Sequence, residues 1–509
     1  MKINLLKMSV IFTILNFISK LVGLLRDILI ANTYGVSAIT DAYNIALTVP
    51  NILYMVCASA IMITFIPNLY EVEEQEGLEG AYKFINKFST ILLIISVLFY
   101  ILGMKYTEYI VTIIAPNLEY SIFRLTIKLT RITLINLIFT VITTICTSVL
   151  RSKNKYIGTS IMPIMANLPV ILILIFNINS NNIVWLTTLS SVGLILQFMA
   201  LLPELKSINF KVKFTLKGYN NRIFDIFKKM LPMMFGLAIT QISLIVDKNI
   251  GSRISEGVIT SLDLSSKITN VIYGILNSTM ITIFTPILAK QFINEDKSEW
   301  VNTINKIIRY MLLFTIPIAV GLFVLNENII SVLYGRGNFT QDDVRLMSVA
   351  LVGYLIQLPF LTIRDVLGQG FYSTKNTKTP AINGMIAIVL NIILTIIFSQ
   401  IWGVFGITLA TSISLIFSSG LLLYAFKNNF NDFRIKDVVY SLIKIIIISL
   451  VMGIIILIVK LFIGSILNNF TQLIVLTIIG ILSYIILCYL FKVNEINEIL
   501  ILIRKKSLE

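Results

Sequence analysis

Long apolar runs separated by short polar connections extend along almost the whole chain. Segments such as ILLIISVLFYILG and LIVLTIIGILSYIILCYLF approach the ~20 residues that an α-helix needs to cross the hydrocarbon core of a membrane. A two-residue alternation of apolar and polar positions, which marks a membrane β-barrel, is absent from the sequence. The pattern predicts an all-α integral membrane protein with about 14 transmembrane helices. The predicted spans are residues 8–33, 41–68, 84–104, 120–150, 157–178, 182–203, 230–252, 259–289, 307–325, 343–372, 380–400, 403–426, 438–460 and 468–491.

Two short sequences recur in corresponding places along the chain. MITFIPNL at Met62–Leu69 resembles MITIFTPIL at Met280–Leu288, and RSKNKYIGTSIMP at Arg151–Pro163 resembles YSTKNTKTPAING at Tyr372–Gly384. The two offsets are similar, so we predict two six-helix lobes that are parallel repeats, with a substrate site between them. The predicted domains are an N-terminal lobe at 1–204, a basic cytoplasmic linker at 205–229, a C-terminal lobe at 230–426, and two additional C-terminal helices with a basic tail at 427–509.

Lysine and arginine are distributed unevenly between the two sides of these spans. Of the 41 Lys and Arg residues, only Lys105, Arg253, Arg336 and Lys460 fall in the loops of one side. Another 11 lie within spans or at their edges, and the other 26 fall on the side that carries both termini. Since positively charged loops remain in the cytoplasm, we expect both termini to be cytoplasmic. This bias also accounts for the net charge of +15 without a nucleic-acid partner.

The composition disfavours catalysis and metal binding. The sequence contains no histidine, which is the commonest metal ligand and general base in proteins. Its cysteines, Cys57, Cys146 and Cys488, are far apart in apolar segments, as expected for small buried hydrophobic residues. We therefore predict no metal site and no enzyme activity. A remote alternative, an enzyme acting on polyprenyl-linked sugars, would depend on Asp342 and Asp343 in a predicted outside loop.

Several basic residues lie where a membrane span makes charge costly. A cation at the centre of a span costs about 2.5–3.5 kcal/mol unless it faces water or a partner. Arg124, Lys128 and Arg131 are spaced i, i+4 and i+7, so they share one helix face. Lys20 and Arg26 lie deep in the first predicted span. Because such cations outnumber the acids in the spans, we predict a cavity for an anionic ligand; internal ion pairing is the alternative.

Six motifs follow one another along the chain: GLLRDILIANTYGVSAITDAYNIALTVPN, IIAPNL, RSKNKY, LPMMFGLAITQISLIVD, LYGRGNFTQDD and FYSTKNTKTP. Together they resemble the MurJ (MviN) family of lipid II flippases, part of the MOP superfamily. The resemblance implies two six-span lobes with two extra C-terminal spans, in the bacterial cytoplasmic membrane. It also implies a carrier that moves undecaprenyl-diphosphate-linked peptidoglycan precursor from the inner to the outer leaflet by alternating access.

The resemblance implies cationic cavity positions at Lys20, Arg26 and Lys267, where Asp27 and Asp41 would hold the cations in position. Lysine replaces the family's usual arginine at two of these positions, which keeps the charge but loses the bidentate fork. The full set of predicted substrate-binding residues consists of charged or amide side chains in the predicted spans: Lys20, Arg26, Asp27, Asp41, Arg131, Lys267, Asn167 and Arg364.

The energy source for such a carrier stays open at this point. An interior-negative membrane potential favours outward movement of an anion, so no cofactor is needed. Sodium or proton coupling is the other possibility, with Asp247, Asn383, Asn391 and Thr411 as a candidate cation site. Acidic residues are absent between positions 366 and 431, so amides and a hydroxyl would have to complete that site.

One departure from the family leaves the cargo open. Tyr54 and Met55 stand where the family usually has a pair of arginines. A divergent flippase for another lipid-linked oligosaccharide is therefore the alternative, whereas a drug-extruding relative would need an acidic cavity. The expected partners are an anionic polyprenyl-diphosphate lipid and membrane lipids, with cell-wall synthesis proteins as a further possibility. We expect a monomer.

Overall fold

The computed structural model describes residues 2–178, 182–210, 213–218, 220–293, 297–463, 467–493 and 495–496. Helices account for most of this part of the chain, as the apolar runs predict. They are α1 (Lys2–Tyr34), α2 (Ala38–Lys105), α3 (Thr107–Ile114), α4 (Tyr120–Thr133), α5 (Asn136–Ser152), α6 (Ile157–Ile175), α7 (Ile183–Met199), α8 (Leu202–Ser207), α9 (Asn220–Ile254), α10 (Val258–Ile293), α11 (Lys297–Val324), α12 (Asn326–Tyr334), α13 (Gln341–Leu355), α14 (Leu358–Ser373), α15 (Lys378–Asn429), α16 (Ile435–Ile463) and α17 (Asn469–Leu490).

Two of these helices are long because each contains two predicted spans joined at a glycine. Gly77 in α2 has a φ of 70°, and Gly403 in α15 has a φ of 56°. Residues with a Cβ rarely adopt such angles, so glycine allows the kink at both places. Nine stretches of the described residues are long and apolar enough to cross a membrane. The all-α membrane fold is confirmed, while the count of about 14 crossings stays a prediction.

Packing divides the chain into two compact units. Unit 1 comprises Met1–Thr260 with Gly337–Phe339, and unit 2 comprises Ser261–Arg336 with Thr340–Glu509. Helix α9 belongs to unit 1 and begins at Asn220, inside the predicted linker at 205–229. The predicted lobe limits stay a prediction.

Close helix contacts in unit 1 fix the position of α6. Helix α6 packs against α1 and α7, while α2 packs against α4, α5 and α9. A Cβ at Gly193 of α7 would lie 2.0 Å from the backbone oxygen of Ala166, so only glycine permits this approach. The neighbouring Asn167 is buried beside this contact. The tight α6–α7 contact therefore holds a predicted site residue in a defined place.

Aromatic packing in unit 2 holds α14 between its neighbours. Trp300 is fully buried, and its ring lies 4.8 Å from that of Phe430 and 5.7 Å from that of Phe426, measured between centroids. Helix α14 packs against both α11 and α15. A Cβ at Gly370 of α14 would lie 2.9 Å from the side chains of Ile304 and Phe426. This contact fixes the helix that carries Arg364.

A buried ion pair fastens the end of the described chain to unit 2. Glu495 accepts hydrogen bonds from Arg309 at 2.6 Å and from Ser441 at 2.9 Å. Burial raises the pKa of the Glu495 carboxyl, but the hydrogen bonds and the charge of Arg309 outweigh it, so the pKa lies below its ordinary value. The pair therefore stabilises the fold at neutral pH, and this contribution is lost as the pH falls through the lowered pKa.

We expect Glu495→Ala to lower the free energy of unfolding by about 3 kcal/mol, because Arg309 is left with a largely buried, unpaired charge. Thermal unfolding of the purified protein in detergent measures the effect. Glu79→Ala is the matched control, because Glu79 forms an exposed ion pair with Lys83. The side chain of Glu79 is 85% exposed, and that of Lys83 is 67% exposed. Equal losses in the two variants would show that Glu495 contributes no more than a surface charge.

Candidate functional site

Two side chains of unit 1 hold the guanidinium of Arg26. Its Nε and Nη2 donate to Oδ1 of Asp27 at 3.0 and 2.7 Å, and its Nη1 donates to Oδ1 of Asn167 at 2.7 Å. The amide of Asn167 is itself oriented, since its Nδ2 donates to the backbone oxygen of Pro163 at 2.7 Å. The structure thus brings together three of the predicted site residues, from α1 and α6.

Arg26 keeps hydrogen-bonding capacity after these contacts. A guanidinium carries five N–H donors, and Asp27 and Asn167 take three of them among the described residues. The side chain retains 26% of its surface exposed, whereas Asp27 retains 9%. Planar, charge-assisted donors of this kind suit a phosphate group. The arrangement is an oriented cation with donors left for an anionic ligand.

Two further predicted cations are exposed. Lys20 lies on α1, and Arg131 lies on α4 together with Arg124 and Lys128. All four side chains are exposed, and none makes a hydrogen bond or ion pair within the part of the chain that the structure describes. The opposite face of α4, which includes Leu129, is buried. The shared face predicted from the i, i+4, i+7 spacing on α4 is therefore observed.

Asp41 forms a different set of contacts from those of Arg26. Its Oδ2 accepts from the backbone N–H of Gly257 at 2.7 Å. Its Oδ1 accepts from the backbone N–H and the hydroxyl of Thr260, at 2.7 and 2.6 Å. Gly257 precedes α10 and has no side chain to cap it, so a carboxylate from α2 serves as the cap. The predicted role of Asp41 beside Arg26 stays a prediction.

The four residues of the candidate cation site are all polar; Asp247, Asn383 and Asn391 are buried, and Thr411 is half-buried. They do not lie in one unit. Asp247 belongs to unit 1, and the others belong to unit 2. Asn391 donates to Thr411 at 3.2 Å, and Asn383 donates to the backbone and hydroxyl of Ser418 at 3.0 and 2.9 Å. The cation site stays a prediction.

Unit 2 contains a second arginine–aspartate pair with the geometry of the first. Arg364 donates through Nε and Nη2 to Oδ1 of Asp365 at 3.1 and 2.9 Å. Tyr273 donates to the other oxygen of Asp365 at 2.6 Å. Only Arg364 was predicted; the signal for Asp365 was the repeated Arg-Asp dipeptide, which also occurs at positions 26 and 27. Each unit thus contains an arginine that pairs with the aspartate next to it in the sequence.

Lys267 lies on a polar stretch of α10 in unit 2. Its side chain is half-buried. Two serines precede Lys267 in the sequence. Ser265 donates to the backbone oxygen of Met347 at 3.0 Å, and Ser266 donates to the backbone oxygen of Asp263 at 2.9 Å. This part of α10 thus presents charge and hydroxyl groups within a largely apolar unit.

Sequence comparison relates the chain to known proteins. A family model described as "Lipid II flippase MurJ" matches residues 30–486. The lipid II flippase MurJ of Thermosipho africanus is 31% identical over 97% of this chain and 98% of its own length. The "Probable lipid II flippase MurJ" of Thermotoga maritima is 26% identical, also over 97% of this chain and 98% of its own length.

Solved structures show the same relationship. The structure described as "Lipid II flippase MurJ, inward closed conformation" is similar with a TM-score of 0.81 and 29% identity, over 96% of this chain and all of the other. An inward-facing multidrug resistance MATE transporter of the MOP superfamily reaches a TM-score of 0.64 at 14% identity, over 84% of this chain and 98% of its own. The second likeness concerns the fold alone.

Proposed function

This chain belongs to the lipid II flippase MurJ family, and from that membership we propose that it moves lipid II, an undecaprenyl-diphosphate-linked peptidoglycan precursor, from the inner to the outer leaflet by alternating access. The observation that supports this proposal best is the Arg26 guanidinium, oriented by Asp27 and Asn167 with donors left over. A charge of this kind inside a membrane-spanning helix normally marks a substrate or ion pathway.

The electrostatics favour an anionic cargo in the outward direction. With the cell interior negative, each negative charge moved outward gains about 2.3 kcal/mol per 100 mV. A diphosphate bearing two charges gains about 4–5 kcal/mol per 100 mV if the carrier moves no compensating charge. The membrane potential thus provides a driving force, and sodium or proton coupling would add to it.

The lipid tail needs an apolar environment while the head group crosses. Unit 2 has an apolar cavity of about 550 Å³ between α11, α12, α16 and α17, lined by residues such as Phe314, Leu322, Ile456 and Ile481. An alkyl chain gains about 0.8 kcal/mol for each methylene group removed from water. We assign the tail to the bilayer and this cavity, so that the polar path carries only the head group.

The function is tested by replacing the flippase of a bacterial cell. Its own lipid II flippase is depleted, this chain is expressed, and lipid II accessible at the outer surface is measured. We expect the accessible lipid II to be restored. No restoration by a chain that inserts normally would contradict the proposal, and rescue of a different lipid-linked oligosaccharide would favour the alternative cargo that Tyr54 and Met55 suggest.

The membrane orientation is tested by cysteine labelling. We expect a cysteine at position 120, where Tyr120 is 74% exposed, to react with an impermeant thiol reagent added to intact cells, because its loop is on the side with few basic residues. A cysteine at Lys83 is expected to react only after the cells are opened. The background protein has Cys57 replaced by serine and keeps Cys146 and Cys488, which are buried. Reversed labelling would invert the proposed direction of transport.

A further inference from the structure

Three helices of unit 2 line a partly open polar cavity that the proposed diphosphate site does not use. The cavity has a volume of about 280 Å³ and lies between α10, α14 and α15. The side chains that decide its chemistry are Asn277, Arg364, Asp365, Gln369 and Asn383, with Gly384 beside them. Its position inside a membrane-spanning unit, together with this polar lining, calls for a polar occupant.

The charges of this cavity cancel one another. Arg364 forms an ion pair with Asp365, and both oxygens of that carboxylate already accept hydrogen bonds, one from Arg364 and the other from Tyr273. Among the described residues, Arg364 and Asp365 are the charged side chains that line the cavity, so its net charge is zero. The cavity therefore suits a ligand without net charge.

Its remaining hydrogen-bonding groups are both donors and acceptors. Asn383 is 6% exposed, and its Oδ1 has no partner, although its Nδ2 donates to Ser418. The amides of Asn277 and Gln369 are half-buried and make no hydrogen bond among the described residues. Nη1 of Arg364 is likewise unused within this part of the chain. A ligand with both donors and acceptors can pair with the amides of Asn277 and Gln369 and with Nη1 of Arg364.

We propose that this cavity binds a sugar ring of the lipid-linked saccharide, an inference that rests on the proposed function. Sugar hydroxyls donate and accept, as the unpaired amides require, and an N-acetyl group adds one more donor and acceptor. The volume lies near the lower end of the roughly 300–1,000 Å³ of small-molecule pockets, so it admits one ring and not a whole head group. The cavity thus recognises the saccharide and takes no part in binding the diphosphate.

Gly384 offers a test with its control at the same position. A Cβ built on Gly384 has no atom within 4 Å, so Gly384→Ala fits without a clash, whereas Gly384→Phe fills the space beside Asn383. Binding of the purified full-length chain in nanodiscs is measured with lipid II, with the same lipid-linked saccharide lacking its peptide, and with polyprenyl diphosphate lacking any sugar. Gly384→Phe is expected to bind both saccharide lipids about tenfold more weakly and polyprenyl diphosphate as the unchanged chain does.

Gln369→Leu provides a second variant that removes one amide without filling the cavity. We expect it to lower the affinity for both saccharide lipids by about five- to tenfold and to leave the affinity for polyprenyl diphosphate unchanged. Gly384→Ala is expected to bind all three lipids as the unchanged chain does. Equal affinities in all variants would show that the cavity holds only water, and a loss confined to lipid II would assign it to the peptide. A uniform loss for all three lipids would make the cavity structural. If the unchanged chain binds none of the lipids, the proposed function itself fails.

Discussion

Arg26→Ala is expected to reduce lipid II flipping by about ten- to hundredfold, while the protein still inserts. A charge-assisted hydrogen bond to phosphate in a site with little water is worth about 1.5–3 kcal/mol, and alanine removes every such donor from this position. The structure strengthens the expectation because Asp27 and Asn167 orient the guanidinium before a ligand arrives. Flipping is measured with lipid II in proteoliposomes, at matched protein amounts.

Two substitutions separate charge from geometry at this position. Arg26→Lys keeps the charge but loses the fork, so we expect activity between those of the alanine variant and the unchanged chain. Asn167→Leu removes one orienting contact and is expected to weaken lipid II binding less than Arg26→Ala does. If Arg26→Ala flipped lipid II at the normal rate, the pair with Asp27 would be purely structural.

Lys267→Ala is expected to reduce flipping to a similar extent, through loss of the cation on α10. Lys267 is half-buried beside Ser265 and Ser266 in a predicted membrane span, where a charge that faces an anionic head group is costly to lose. The same transport assay applies, with lipid II affinity measured in parallel. A loss of affinity at unchanged protein stability would assign the effect to ligand binding.

Lys267→Arg serves as the matched control, because it restores the residue that the family resemblance implies at this position. Arginine keeps the charge and adds a planar fork for phosphate, so we expect activity equal to or above that of the unchanged chain. A strong loss in both Lys267 variants would indicate that the site depends on the shape of lysine and not on its charge. That outcome would contradict the assignment of Lys267 to diphosphate binding.

The helices follow from the sequence because the bilayer leaves few alternatives. A backbone in hydrocarbon must satisfy its own hydrogen bonds, so long apolar runs predict helices directly. The continuity of α2 through Gly77 and of α15 through Gly403 was less predictable. A glycine between two spans is compatible with either a loop or a kinked helix, and only packing decides which of them forms. The start of α9 at Asn220, within the predicted polar linker, was also not predictable from the apolar runs.

Part of the candidate site could also be predicted from sequence. Arg26 and Asp27 are adjacent, so their pairing requires only a local conformation. Asn167 was predicted as a site residue, but its contact with Arg26 joins positions 141 residues apart and depends on how α6 packs against α1. The bond of Tyr273 to Asp365 spans 92 residues in the same way. Contacts of this kind depend on helix orientation, which the spacing of polar residues along one helix does not determine.

The contacts of Asp41 are a further example of contacts that the sequence does not predict. Its carboxylate accepts hydrogen bonds from the residues around the start of α10, and the position of an acid in the sequence does not predict such contacts. A sequence does not indicate which backbone N–H groups at a helix start will bind a side chain. They compete for a carboxylate as effectively as a charged side chain does, because several unpaired donors and the helix dipole act together.

The start of α10 is capped by Asp41, a residue of another helix, and not by the residue that precedes α10. A helix capped by the residue before it keeps that cap in every arrangement, whereas the bonds from Gly257 and Thr260 to Asp41 break whenever the two helix starts separate. Water can then take over these groups, and losing a cap typically costs about 0.5–2 kcal/mol. Such a cost corresponds to roughly a two- to thirtyfold change in the ratio of two populations. A ligand that favoured a separated arrangement would have to supply slightly more than this free energy before the ratio inverts.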